Sequence, residues 1–216
     1  MKRALLAAAL ICLALLPVSD SFASKILRVG RGDRLGTGFI LASQKGTANR
    51  SLVITAWHVL NTQGDAFAKL GDTAYPAVSY RVDNNNTLVW KDGEGHDLAA
   101  FVIDTGEQSW VPYSVGRAER GKTYHAYGYG GGSFKATKLQ TKYTLLGAVR
   151  PGDSGGPIFD DQARVVGMAI EISAPGQGFS ANPRFTHTNA VSPEHIESFA
   201  SRVLNKLGWR CPPGGT

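Results

Sequence analysis

From Lys25 to Val191 the chain is written as short β-favouring runs broken by turn clusters, and this rhythm constrains its fold more than any other feature. Apolar-rich runs at 25–29 and 37–42 flank Gly30-Arg31-Gly32-Asp33, whose composition suits a hairpin connection. Leu52 to Thr55 is a third run and leads directly into Ala56-Trp57-His58. Runs at 74–82 and 87–90 surround the turn cluster Asp83-Asn84-Asn85-Asn86, and 98–103 is a continuous apolar run of buried-strand length. After a connection at 105–121 with one short strand in it, β-favouring runs return at 123–129, 134–146, 157–159, 165–172 and 185–191. Many short strands with regular turn signals imply an all-β sandwich or barrel. The chain closes differently. Ser192 suits an N-cap, Pro193 the first helical position, and Ile196, Phe199, Ala200, Val203, Leu204 and Leu207 recur at helical spacing, with Gly208 placed to stop the helix.

The two ends read as segments outside this fold. Lys2 and Arg3 precede an uncharged apolar run from Ala4 to Leu16, followed by Ser21-Phe22-Ala23, a small-x-small pattern. A positive start, a short apolar centre and a small-residue site describe a secretory signal peptide, expected to be cleaved after Ala23. The run is too short to span a bilayer, which takes about 20 residues. The expected protein is therefore secreted or periplasmic and carries no integral membrane segment after processing. The tail 208–216, rich in Pro and Gly, is expected to be mobile.

Cys211 is the single cysteine left after that cleavage, since Cys12 lies in the leader, so no disulfide can form within the mature chain. The formal net charge of +6 stays positive without the leader, but no basic run is interleaved with aromatics. Solvated surface charge accounts for it better than nucleic-acid binding does. No metal or cofactor is expected, and the protein reads as a monomer.

The glycines of Gly128-Tyr129-Gly130-Gly131-Gly132 invite comparison with a phosphate loop, yet no Lys-Ser/Thr and no helix follow, so the parts of that mechanism are missing. A hairpin tip is the better reading, because glycine readily takes positive φ. The chemistry lies further on, in Gly152-Asp153-Ser154-Gly155-Gly156-Pro157. Its glycines leave room for tight turns that expose the serine. A serine hydroxyl attacks poorly unless a base takes its proton and donors stabilise the oxyanion that forms. In such a loop the backbone N–H groups of Gly152 and Ser154 can point at one spot and serve as that oxyanion hole.

This string resembles the nucleophile loop of trypsin-like serine peptidases, and the other parts of that family's machinery occur in its order. Thr55-Ala56-Trp57-His58-Val59 resembles the "TAAHC" segment that carries the general base, with Trp57 and Val59 replacing the usual Ala and Cys. Gly36-Thr37-Gly38-Phe39-Ile40 resembles the strand that crosses behind this histidine and contacts the leaving side of the substrate. The family's aspartate stands just before an apolar strand, which points to Asp97 in His96-Asp97-Leu98-Ala99; Asp92, Glu94 and Asp104 are its rivals. The order His58, Asp97, Ser154 is that of the chymotrypsin arrangement and of neither subtilisins nor α/β-hydrolases. The short spacings and absent disulfides look more like compact bacterial members such as the glutamyl endopeptidases. The resemblance covers Lys25 to Leu207 and implies two antiparallel six-stranded β-barrels packed face to face, with a C-terminal helix. The expected divisions are 1–23 for the leader, 24–110 for the barrel carrying His58 and Asp97, and 111–192 for the barrel carrying Ser154. The helix then takes 193–207 and the tail 208–216.

The same resemblance places Ala148 at the base of the specificity pocket, where trypsins carry an aspartate, so a preference for Lys or Arg is not expected. Ala169-Ile170-Glu171-Ile172 resembles the strand that pairs with the substrate, with Ala169, Ile170 and Ile172 walling the pocket. Glutamyl endopeptidases carry a histidine where Ala169 falls, although Arg150, Arg184 and His187 could supply positive charge. A small or medium apolar residue before the scissile bond is the expectation. Trypsins are activated when a new N-terminus meets the aspartate beside the nucleophile, here Asp153. Ile26 lies too close to Gly36 for that, so Asp153 is expected to be held by local hydrogen bonds. The alternative function is a protease-like binding module that has lost activity. An esterase of another fold is opposed by the absence of a Gly-x-Ser-x-Gly elbow.

Overall fold

The computed structural model describes residues 25–45, 49–82, 85–106, 113–141, 145–146, 149–173 and 187–209. A two-residue turn at Gly32 and Asp33 joins β1 (Ile26–Arg31) to β2 (Arg34–Gln44), and β3 (Asn49–Ala56) pairs back on β2. A single helical turn, α1 (Trp57–Leu60), follows, and then β4 (Ala66–Leu70), β5 (Thr73–Val78), β6 (Tyr80–Val82), β7 (Asn85–Thr87), β8 (Trp90–Lys91) and β9 (Leu98–Gly106). The pairing order β3-β2-β1-β4-β5-β9 returns on itself because β9 also pairs with β3, so six strands form a closed ring. Strand β8 extends the sheet beside β9, and β6 and β7 form a separate hairpin.

The second half repeats the plan with different strands. β10 (Thr123–Gly128), β11 (Lys135–Thr141), β12 (Leu145–Leu146), β13 (Pro157–Phe159), β14 (Val165–Ser173) and β15 (His187–Val191) close into a barrel in the order β10-β11-β12-β15-β14-β13. All named pairings in both barrels are antiparallel, as the all-β expectation required. The helix α2 (Pro193–Leu207) then packs against β14 of the second barrel and against β9 and β6 of the first half. Its start and stop follow from the expected caps. Ser192 Oγ accepts the His195 N–H, and Gly208 takes the left-handed conformation at φ 66°.

Burial explains why the middle strands are apolar without alternation. Six consecutive residues of β3, Ser51 to Ala56, are buried, as are Leu98 to Ile103 in β9, because one face meets the barrel interior and the other meets packed neighbours. Phe39, Ile54, Phe101, Leu98 and Ile103 are wholly buried, each contributing roughly 1.5–3 kcal/mol of transfer free energy. Phe159, Val165, Met168 and Val191 of the second barrel join this same core, together with Ile196, Phe199 and Val203 of α2. The interior of the second barrel is a separate cluster around Tyr124, Leu139, Ile158 and Val166.

The strands exceed the sequence-based runs where turns are tighter than composition suggested. Only Gly32 and Asp33 turn the first hairpin, so Gly30 and Arg31 lie within β1. Gly30 has no room for a side chain, since a Cβ would meet the Phe67 ring at 2.7 Å and Leu35 at 2.8 Å. The run at 74–82 breaks at Ser79 into β5 and β6, and Asn85 and Asn86, expected in a turn, begin β7. The leader 1–23, Ala148, Arg184 and Cys211 lie outside the described residues. Among the described residues no helix is long and apolar enough to cross a membrane.

Candidate active site

His58 and Asp97 are brought together by two features of the first barrel. The last residue of β3 runs directly into α1, which turns His58 back over the barrel mouth. Asp97 ends the loop before β9 in the left-handed conformation, at φ 57°, which costs a non-glycine residue about 1–3 kcal/mol. That conformation lets one residue hold α1 at three points. The Asp97 carbonyl accepts the Trp57 N–H at 2.8 Å, Oδ1 accepts the His58 backbone N–H at 2.9 Å, and Oδ2 lies 2.7 Å from His58 Nδ1. The Nδ1 position is thereby committed to Asp97, leaving Nε2 to face outward as the neutral ring's acceptor. The His58 side chain is 45% exposed and that of Asp97 24%.

The rivals of Asp97 have a different task. Asp92, whose side chain is 1% exposed, accepts the His96 backbone N–H at 3.1 Å, its ring Nδ1 at 2.9 Å, and Arg202 Nη2 of α2 at 2.6 Å. Burial pushes the Asp92 carboxyl up, but the His96 and Glu94 backbone N–H groups and the His96 ring outweigh it and hold it below the usual carboxylate value. Glu94 takes the other end of the guanidinium, at 3.0 Å from Nη1. His96 stacks on His195 of α2 with ring centroids 3.7 Å apart. The loop that ends in Asp97 is thus clasped to the C-terminal helix. Asp92, Glu94 and His96 are close enough to hold a cation, but their acceptors already serve Arg202 and one another. Asp104 lies at the far end of β9, where it receives the Gly106 N–H.

The serine loop is built around a turn and a buried carboxylate. Asp153 N donates to the Arg150 carbonyl at 2.8 Å, with Pro151 second and Gly152 third at φ 98°. These are the marks of a type II turn, and the positive φ fixes which way the Pro151–Gly152 peptide faces. Asp153 is 6% exposed, and its Oδ1 accepts the Gly130 N–H at 2.6 Å while Oδ2 accepts the Arg150 N–H at 2.7 Å. Gly128 and Gly130 therefore do more than turn a hairpin. A Cβ at Gly128 would run into Asp153 Oδ1, and one at Gly130 would approach it to 2.5 Å. Among the described residues neither the Gly152 nor the Ser154 N–H donates to a backbone carbonyl.

Ser154 itself is tied from both sides. Its carbonyl accepts the Thr37 N–H of β2 at 2.8 Å, and its Oγ donates to the Ile170 carbonyl of β14 at 2.6 Å. That carbonyl is available because Ile170 is the extra residue of a bulge between Ala169, opposite Ala190, and Glu171, opposite Asn189. Ala169 is wholly buried and exchanges hydrogen bonds with the loop, accepting from Gly155 N at 2.7 Å and donating to Gly156 O at 2.9 Å. Ile170 is half-buried, and Ile172 stands on β14 opposite Thr188. Among the described strands, β14 pairs from Ile170 onward with β15 alone, since β13 pairs no further along it than Met168.

Sequence reasoning overlooked Thr37. Wholly buried, it donates Oγ1 to the Gly152 carbonyl at 2.7 Å and receives the Tyr129 N–H on the same oxygen at 3.0 Å. One hydroxyl thus joins β2, the serine loop and the end of β10. The only signal was its place between Gly36 and Gly38, which gave backbone proximity but not the partners of the hydroxyl. Gly36 has the same closeness, for a Cβ there would meet Val59 at 2.6 Å and the Ser154 carbonyl at 2.8 Å.

Two closed six-stranded barrels with a histidine–aspartate pair on one and a serine loop on the other define a chymotrypsin-like peptidase fold. The family model described as the trypsin-like peptidase domain matches residues 36–168, and the chain belongs to that family. No curated protein sequence matches it significantly. Among solved structures it is similar to the inactive form of the Rv3671c protease of M. tuberculosis H37Rv, at 18% identity and a TM-score of 0.61. That similarity covers 87% of this chain and 92% of the other. It also resembles the serine endoprotease of Yersinia pestis, at 15% identity and a TM-score of 0.64, over 88% of this chain and 68% of that one.

Proposed function

We propose that the protein is an exported serine endopeptidase that hydrolyses peptide bonds through an acyl-enzyme, with His58, Asp97 and Ser154 as its catalytic triad. The observation that carries this reading is the double hold of Asp97 on the backbone and Nδ1 of His58, which orients Nε2 as a base. Rotation about the Ser154 Cα–Cβ bond releases Oγ from the Ile170 carbonyl and turns it toward His58. Oγ then bonds to the substrate carbonyl carbon while its proton passes to Nε2. The Gly152 and Ser154 N–H groups receive the oxyanion. Collapse breaks the C–N bond, His58 protonates the departing amine, and water repeats the sequence to free the acid and restore Ser154.

The substrate's acyl half lies as an added strand along the open edge of β14 from Ile170 onward, a mode that gives affinity through backbone hydrogen bonds. Ala148, Ala169, Ile170 and Ile172 wall the specificity pocket, and a small or medium apolar side chain occupies it. The backbone N–H groups that hold Asp153 make a second activating cleavage unnecessary. The leader 1–23 directs export to the periplasm or beyond, where the protein acts as a monomer.

The bond from Ser154 Oγ to the Ile170 carbonyl also favours a second reading, a homologue that binds partners without cleaving them. An organophosphate serine probe separates the two. Labelling mapped to Ser154 and lost in Ser154→Ala supports the peptidase; a folded protein that takes no label supports the binding module.

A further inference from the structure

The hairpin of β1 and β2 carries three arginines, and the fold supplies acceptors for two of them. Arg31 donates Nε to the Gly64 carbonyl at 2.9 Å and Nη1 to the Leu60 carbonyl at 3.2 Å. Arg34 donates Nη1 to the His58 carbonyl at 2.7 Å. The Arg28 side chain is half-buried and makes no hydrogen bond or ion pair with any described residue. Its charge reaches the Tyr129 hydroxyl, whose ionisation burial disfavours and Arg28 favours.

Arg28 borders a pocket of about 270 Å³ shared with Leu35, Gly36, Tyr129, Pro151 and Gly152. The volume falls below that of a drug-sized ligand site and suits one amino-acid side chain. Among the described residues that line it, Arg28 alone is charged. The pocket lies beside Gly152 and Gly36, on the β2 side of Ser154, whereas β14 approaches Ser154 through Gly155 and Ile170. A peptide passes the nucleophile once, so an acyl half on β14 sends the leaving half across Gly36 and into this pocket. A half-buried guanidinium without a partner among the described residues has lost part of its hydration, and a carboxylate in its plane restores two charge-assisted hydrogen bonds.

We propose that this pocket binds a carboxylate in the leaving half of the substrate, so that the protein cleaves one or two residues ahead of an acidic group. The inference rests on the peptidase reading above and adds its leaving-side specificity. The carboxylate has two possible sources, an Asp or Glu side chain and the free C-terminus of a short leaving fragment.

The test uses matched peptides with one acyl half and either Glu or Gln at the first or second leaving position, in a long chain ending in a carboxamide. A second pair has a neutral two-residue leaving fragment ending in a free carboxylate or a carboxamide. Each is cleaved by the wild-type protein and by Arg28→Gln, and kcat/KM is compared as a ratio within each protein, so that any general loss in the variant cancels. The expected wild-type preference is about 2- to 5-fold for the carboxylate, the worth of a partly exposed ion pair, falling toward unity in Arg28→Gln and in high salt. Preference in the Glu/Gln pairs assigns the side chain, and preference in the second pair assigns the terminus. A ratio near unity in the wild type, or one that survives Arg28→Gln, overturns the inference while cleavage and Ser154 labelling keep the peptidase reading intact. If no peptide is cleaved and Ser154 takes no probe, the peptidase reading falls and this inference falls with it.

Discussion

The hydroxyl of Thr37, on a strand of the first barrel, is bonded at 2.7 Å to the carbonyl of Gly152 in the serine loop of the second. Because Tyr129 N donates to the same oxygen, the hydroxyl is fully engaged in a wholly buried position. Thr37→Val keeps the shape but removes the partner of the part-buried Gly152 carbonyl and of the part-buried Tyr129 N–H, at a cost of roughly 1–3 kcal/mol in all. The variant is expected to lose about 10- to 100-fold in kcat through misorientation of the Gly152 peptide, less than the cost of deleting an oxyanion donor outright. Thr37→Ser should restore most of it. Steady-state kinetics beside thermal melts of both variants check this, and a Val variant with undiminished kcat would remove Thr37 from the oxyanion loop.

Ser154→Ala is expected to lower turnover on the order of 10⁶-fold, as measured triad deletions do. Among the described residues the side chain's one hydrogen bond is to the Ile170 carbonyl, so the melting temperature should move by only a few degrees, roughly the worth of one such bond. Steady-state turnover of a peptide substrate and a melt of the same sample read both quantities.

Asp92 and Arg202 join the loop of Asp97 to α2, and their pairing sets an acid limit. The folded Asp92 carboxyl lies below its ordinary value, so the unfolded chain takes up the proton first as pH falls. The stabilisation is therefore complete at neutral pH, declines below about 4, and is gone once the folded value is passed. Arg202→Ala leaves the buried carboxylate with only His96 and backbone donors. It should destabilise by about 2 kcal/mol near pH 7, lowering Tm by about 5 °C. Urea midpoints near pH 7 and pH 3 should converge for Arg202→Ala and wild type; a constant gap would contradict this account.

Gly155 has φ 85°, and a Cβ there would collide with the Thr37 carbonyl and the Thr55 hydroxyl. Both neighbours belong to strands of the first barrel, so neither can yield without opening it. Gly155→Ala should fail to accumulate as folded protein, or should melt well below wild type, as seen by circular dichroism.

Much of this arrangement was legible in the residues themselves. Short runs, turn clusters and the caps at Ser192 and Gly208 marked the strands and α2 because those signals are local. His58, Asp97 and Ser154 were identifiable because their flanking residues form family motifs. The division of the run at 74–82, the pairing of β9 with three strands and the bulge at Ile170 were not, because register depends on partners far along the chain.

The sequence by itself determined the all-β class, the terminal helix and the identity of the three residues proposed for catalysis. The first two rest on properties of neighbours within a few positions, namely side-chain pattern, turn preference and capping, and the third on the resemblance of the flanking residues to family motifs. Only the tertiary structure decided what each polar atom meets. It gave Thr37 its partners across the barrels, set Asp92 on Arg202 rather than on His58, and left Arg28 half-buried with no carboxylate partner among the described residues. Hydrogen bonds and ion pairs act over a few ångströms in space, and folding brings together residues as distant in the chain as Thr37 and Gly152.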